Sequence, residues 1–147
     1  MEIKDILTPD CTICAVQGTS KKRIFETISD VADQHLPDID LDPILTSLLC
    51  REKMGSTGIG NGIAIPHGKL KGLDGVHCIL IRLEHGIEFE AVDDKPVDLA
   101  FVLLAPQGSG ADHLKALARI ARVFRNGQIT AKLRETRDID DIYSVLT

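Results

Sequence analysis

The chain has 147 residues, 44% hydrophobic and 27% charged, which suits a globular chain with one core and fits a single domain over 1–147. Seventeen basic against 22 acidic residues leave a net charge of −5, which argues against non-specific nucleic-acid binding and favours a basic protein partner. No Trp, one Tyr and four Phe leave little for a base-stacking surface, and no run approaches the ~18 apolar residues of a membrane span.

The N-terminal MEIKDILTPD lacks a basic segment followed by a long apolar run, so no secretory signal is expected. CTICAV (11–16) predicts a short strand. A Thr19/Ser20 cap then opens a helix with Ile24, Ile28, Val31 and Ala32 at helical spacing, stopped by Pro37. Asp42–Pro43 is a cap followed by proline at the first helical position, and predicts a helix over about 42–54 that buries Ile44, Leu45, Leu48 and Leu49 and ends at Gly55. GSTGIGNG reads as a loop and GIAIPH as a strand. VHCILIRL predicts a longer strand over 76–83, followed by an EHG turn holding His85. The run around 97–105 is almost wholly apolar, as in a central strand.

Ser109, with Asp112 three residues on, caps a helix whose stripe is read as Leu114, Leu117, Ala118, Ala121 and Phe124. Lys115, Arg119, Arg122 and Arg125 line another side, most simply a solvated face. Two short helices, about 128–134 and 138–146, complete a pattern that predicts a single-domain α/β protein, a three-layer α/β/α sandwich with a mixed central sheet.

Gly58, Gly60 and Gly62 fail the dinucleotide fingerprint because Ile63 stands where a glycine is needed. Gly68–Lys69 fails the P-loop pattern because Ile63 and Leu70 flank it. Cys11, Cys14, Cys50 and Cys78 are expected to be reduced thiols. The C-x-x-C pair on a strand points to opposite faces, and no histidine spacing selects a metal. His35, near a helix end, and His77 and His85 read as structural or surface residues.

His67 differs. Gly60, Gly62 and Gly68 free the surrounding backbone, while Pro66 fixes one φ and drives Ile65 extended, so a stiff strand ends by presenting an imidazole at a mouth. Ile59, Ile63, Ile65 and Leu70 are expected to ring that mouth. His113 falls among Leu117, Ile120 and Phe124 in the first turn of its helix, where anions are favoured. Arg51 precedes the glycine loop, either as a snorkelling surface residue or as a fork for phosphate oxygens. Neutral imidazole is a nucleophile toward phosphorus, and phosphoryl transfer needs little beyond positioning and charge stabilisation.

REKMGSTGIGNGIAIPHGK (Arg51–Lys69), with PVDLAFVLLAP and HLKALARIA further on, resembles the type-2 (fructose/mannitol/nitrogen) enzyme IIA domains of the bacterial phosphotransferase system, nearest the nitrogen-regulatory branch. The resemblance implies that His67 is phosphorylated on Nε2 by an HPr-like phosphocarrier protein. It makes His113 and Arg51 the other pocket residues, with Thr57, Gly60, Gly62 and Gly68 as phosphate or loop support. No cofactor or metal, a cytoplasmic location and no membrane insertion are implied. So are regulatory protein targets such as potassium transporters or sensor kinases. The alternative is a sugar-type component relaying phosphate to a IIB domain.

Overall fold

The computed structural model describes residues 3–7, 11–16, 20–35, 41–73, 75–108, 110–136 and 138–146. Among them are β1 (Thr12–Val16), α2 (Lys21–His35) and α3 (Leu41–Lys53), preceded by a four-residue helix α1 (Ile3–Ile6) that sequence reading did not foresee. Ser20 caps α2 by accepting from the Arg23 N–H at 3.2 Å. Thr19, Pro37 and Ser109, and the side chains of Cys14, Asp42 and Pro43, lie outside the described residues, so the roles expected of them carry no structural account.

The expected loop after α3 is partly a hairpin: β2 (Gly58–Gly60) and β3 (Ile63–Ala64) pair antiparallel across Asn61–Gly62. Both turn residues have positive φ, 57° and 80°, the backbone that an Asn-Gly pair supplies in a two-residue hairpin. The single strand read from GIAIPH is divided: β4 (His67–Leu70) begins after Pro66, so His67 opens a strand and does not end one. β3 and β4 nevertheless share one parallel register on β6 (Val97–Pro106), with Ile63 opposite Leu99 and His67 opposite Leu103. Pro66 has no N–H to give the ladder, but its carbonyl accepts from Leu103 at 2.9 Å. β5 (His77–Ile87) runs through the residues expected to turn, so the exposed His85 lies on a strand.

The sheet order is β1-β5-β6-β3-β2, with β4 also on β6; β1–β5 and the β3/β4–β6 pairings are parallel, β5–β6 and β2–β3 antiparallel. Side-chain alternation divides the core. Ala64, Leu70, Ala100, Val102 and Leu104 pack with α2 and α3, whereas Ile63, Ile65, Leu99, Phe101 and Leu103 pack with α1, α4 (Gly110–Arg125), α5 (Gly127–Glu135) and α6 (Ile139–Leu146). This is the expected three-layer α/β/α arrangement around a mixed sheet. On α4 the buried stripe is His113, Ala116, Ile120 and Phe124. Leu114, 66% exposed, and Ala118 face outward, against the first reading of that helix. Arg119 is half-buried, so the solvated basic face reduces to Lys115, Arg122 and Arg125. No helix among the described residues is long and apolar enough to cross a membrane.

Candidate functional site

Alternation along β4 sets the site. Gly68 faces α3, where an added Cβ would strike Ser47 Oγ and stand 3.2 Å from Ser47 Cβ. This missing side chain lets α3 approach the strand closely. His67 points to the opposite face, toward α4. Among the described residues β4 pairs with β6 alone, so its far edge is uncovered by strand and Arg51 reaches His67 from the end of α3.

The His67 ring is held at both nitrogens. Nδ1 is 2.7 Å from the Ile65 carbonyl, which fixes the proton on Nδ1 because a carbonyl can only accept. Nε2 therefore carries the lone pair, and it accepts from Arg51 Nε at 3.0 Å. Arg51 also donates through Nη1 to the Gly55 carbonyl at 2.8 Å. The snorkelling alternative for Arg51 does not describe this geometry. Burial lowers the His67 pKa from the usual 6.5; the Ile65 carbonyl works against that, the Arg51 charge adds to it, and Glu52 opposes it weakly. The ring is thus neutral near pH 7, with its lone pair turned to Arg51.

His113, 8% exposed, enters from the first turn of α4, with its ring centroid 5.5 Å from that of His67 and the planes inclined at 52°. Its pKa is lowered by burial, then by His67 and Lys69. Its Nδ1 is buried with no hydrogen-bond partner among the described residues.

The remaining expected site residues separate. Thr57 is buried, and its N–H and hydroxyl both donate to Glu52, so it braces the loop from within. Gly60 and Gly62 shape the hairpin: an added Cβ on Gly62 would meet Arg134 Nη2 at 2.6 Å and Asp98 Oδ1 at 2.8 Å. His67 lies five residues beyond Gly62 along an extended segment, roughly 16 Å at the rise of an extended chain, so these two glycines do not cradle a group on His67. The apolar ring expected around the mouth is also corrected. Ile63, Ile65 and Leu70 are 2%, 4% and 3% exposed because strand alternation sends all three into the core, and only Ile59 reaches solvent. The exposed apolar residues that follow the site residues in sequence are Met54, after Arg51, and Leu114, after His113.

Sequence reading missed Glu52 and Lys21, which form a 2.6 Å ion pair behind the site. Each continues the apolar stripe of its helix, Glu52 after Ile44 and Leu48, Lys21 before Ile24, Phe25 and Ile28. A charge in such a stripe signals a buried partner.

Residues 5–147 match the family described as phosphoenolpyruvate-dependent sugar phosphotransferase system, EIIA 2. A protein of Bradyrhizobium diazoefficiens named nitrogen regulatory protein is 47% identical over 146 residues, covering 99% of this chain and 95% of that one. A Haloferax volcanii protein named as a fructose-specific EIIA component of the same system is 35% identical over 127 residues, 86% of this chain and 82% of that one. The crystal structure of the nitrogen regulatory protein IIA-Ntr from Neisseria meningitidis superposes with a TM-score of 0.92 at 32% identity, covering 99% of both chains.

Proposed function

Because the chain belongs to the EIIA 2 family of the phosphoenolpyruvate-dependent sugar phosphotransferase system, we propose that it accepts a phosphoryl group on His67 Nε2 from a small HPr-like histidine phosphocarrier. The observation that carries this reading is the fixed tautomer: Nδ1–H on the Ile65 carbonyl leaves the lone pair on Nε2, where it meets the Arg51 guanidinium. In the transfer, that lone pair attacks phosphorus. A new N–P bond forms as the donor's N–P bond breaks, and the electron pair of the broken bond stays on the donor's imidazole. No proton moves: Nδ1–H remains on Ile65, whose carbonyl dipole stabilises the positive charge the ring acquires. The guanidinium of Arg51 gives up Nε2 and takes the phosphoryl oxygens, and His113 hydrogen-bonds to the same oxygens.

The biological role we propose is nitrogen-regulatory, in the cytoplasm, with phosphorylation state selecting protein targets such as potassium transporters or sensor kinases. The relative named nitrogen regulatory protein supports it. Phosphate adds about −2 charge at His67, and a target packing apolar surface over that residue would bury that charge unpaired, so phosphorylation releases such targets. The fructose-specific relative supports a second reading, in which phosphate passes on to a IIB domain.

The test incubates the protein with phosphoenolpyruvate, the general phosphotransferase and a candidate phosphocarrier, then maps the label by mass spectrometry and 31P NMR. Label on His67 Nε2, absent from His67→Ala, is expected; label on another histidine refutes the assignment. Binding of a target to both forms then separates regulation from relay. Equal affinity of both forms for every target leaves relay to a IIB domain as the account.

A further inference from the structure

Glu52 is 9% exposed and meets three donors at once. Its Oε1 lies 2.6 Å from Lys21 Nζ, and its two oxygens accept from the Thr57 N–H at 3.1 and 3.2 Å and from the Thr57 hydroxyl at 2.7 Å. Lys21 is itself placed. Its Nζ donates to the Phe89 carbonyl at 3.2 Å and lies 4.7 Å from the Phe89 ring centroid. Ser56 Oγ donates to the same carbonyl at 2.9 Å and receives the Gly58 N–H at 3.1 Å. The start of α2, the end of α3 and the segment after β5 are therefore all tied to residues 55–58. On the preceding position of α3, Arg51 turns the other way, onto His67, with Nη1 anchored on the Gly55 carbonyl of that same loop.

Resting on the reading of His67 as phosphoacceptor, we propose that Glu52, with Lys21 as its counter-ion, is a positioning residue for phosphoryl transfer. It fixes the 55–57 loop so that the Arg51 guanidinium is held on His67 Nε2 and delivered to the phosphoryl oxygens. Neither Glu52 nor Lys21 touches the reacting atoms. A carboxylate with this many donors holds its loop more rigidly than a neutral acceptor would, and a positioned guanidinium is worth most when it does not have to be reorganised during transfer.

Glu52→Gln tests this in the full-length protein, because glutamine keeps the shape but offers one acceptor oxygen where three donors converge. Two donors are used, phosphoramidate alone and the phosphorylated carrier. The transfer rate at saturating carrier is expected to fall roughly tenfold, inside the ~10²-fold that a misplaced group costs, with the half-saturating concentration within about twofold. Solvent exchange of the Arg51 Nε–H, read by 15N NMR, is expected to rise in parallel, which a purely structural role would not require. Should Glu52→Gln fail to fold, Thr57→Val, which lacks only the hydroxyl, is expected to shift both readouts in the same direction. A folded variant with wild-type rate, or with Arg51 Nε–H still protected, overturns the proposal. Wild-type protein left unlabelled at His67 by both donors refutes the acceptor assignment instead, and the exchange readout then decides the positioning role by itself.

Discussion

Gly68→Ala perturbs the contact that brings the arginine to the histidine. The new methyl would strike Ser47 Oγ and sit 3.2 Å from Ser47 Cβ and 3.5 Å from its carbonyl carbon. If the hydroxyl swings away, it abandons its 3.2 Å bond to the Lys69 carbonyl, at a cost of ~0.5–1.5 kcal/mol. If α3 withdraws instead, overpacking of this kind costs ~1–3 kcal/mol. Against both stands the lower entropy of the unfolded alanine chain, worth ~0.4–1 kcal/mol, because Gly68 is not among the positive-φ residues. With α3 withdrawing, the net expectation is a destabilisation of about 1 kcal/mol, or a Tm lower by roughly 2–4 °C for a chain of this size. Urea denaturation measures it, with the midpoint falling and the slope unchanged. Ser47→Ala in the same chain removes the struck atom and should recover about 1 kcal/mol, a coupling well above the ~0.5 kcal/mol scatter of independent sites. Phosphate acceptance should slow with the loss of stability, since a retreating α3 draws Arg51 from Nε2. A Gly68→Ala protein as stable as wild type, or strict additivity with Ser47→Ala, refutes the close-approach argument.

Arg51→Lys keeps the charge but loses the planar fork, and transfer to His67 should slow by about ten- to a hundredfold in single-turnover kinetics, a cost of roughly 1.4–2.7 kcal/mol. Burial places the pKa of both His67 and His113 below 6.5, so the acid limb of the acceptance rate should lie below pH 6.5 in a pH–rate profile. The same depression makes the unfolded chain bind more protons below pH 6.5. The contribution of these two groups to stability should therefore be fully present above that pH and fall as the pH drops through the folded values, as pH-stepped urea titrations can follow. Gly62→Ala meets Arg134 and Asp98 at a φ of 80°, and should cost about 1–3 kcal/mol while leaving the transfer rate of the folded fraction unchanged; a selective rate loss would restore Gly62 to the site.

Much of this molecule could be read in its residues, for identifiable reasons. α2 and α3 carry long periodic signals, the central β6 a nearly continuous apolar run, and the Pro66–His67–Gly68 triplet combines a fixed φ, a nucleophile and a missing side chain. What escaped was of two kinds. Some was local chemistry: Asn61–Gly62 is a hairpin turn, and Pro66 interrupts a ladder without ending the pairing. The rest was tertiary. Whether Ile63, Ile65 and Leu70 line a mouth or a core depends on which neighbours each strand face receives, and alternation on a strand with both faces covered does not declare that. Leu114 shows the same limit on α4, where two candidate stripes lay a residue apart and packing chose the one containing His113. Glu52 and Lys21 were visible as charges within apolar stripes, but their meeting required the fold.

The two side chains that flank His67 come from opposite sides of the sheet. Arg51 belongs to α3, whose Ile44 and Leu48 sit in one core, and His113 to α4, whose Ala116, Ile120 and Phe124 sit in the other. The imidazole stands at the seam where the two slabs of helix are registered against each other, and its ring works as a strain gauge for that registration. A slip of the α3 slab is felt at Nε2 through the guanidinium, and a slip of the α4 slab through the 5.5 Å ring contact. The ring nitrogen resonances of His67 therefore distinguish a partner that loosens one slab from a partner that loosens the other, even when that partner binds far from the histidine.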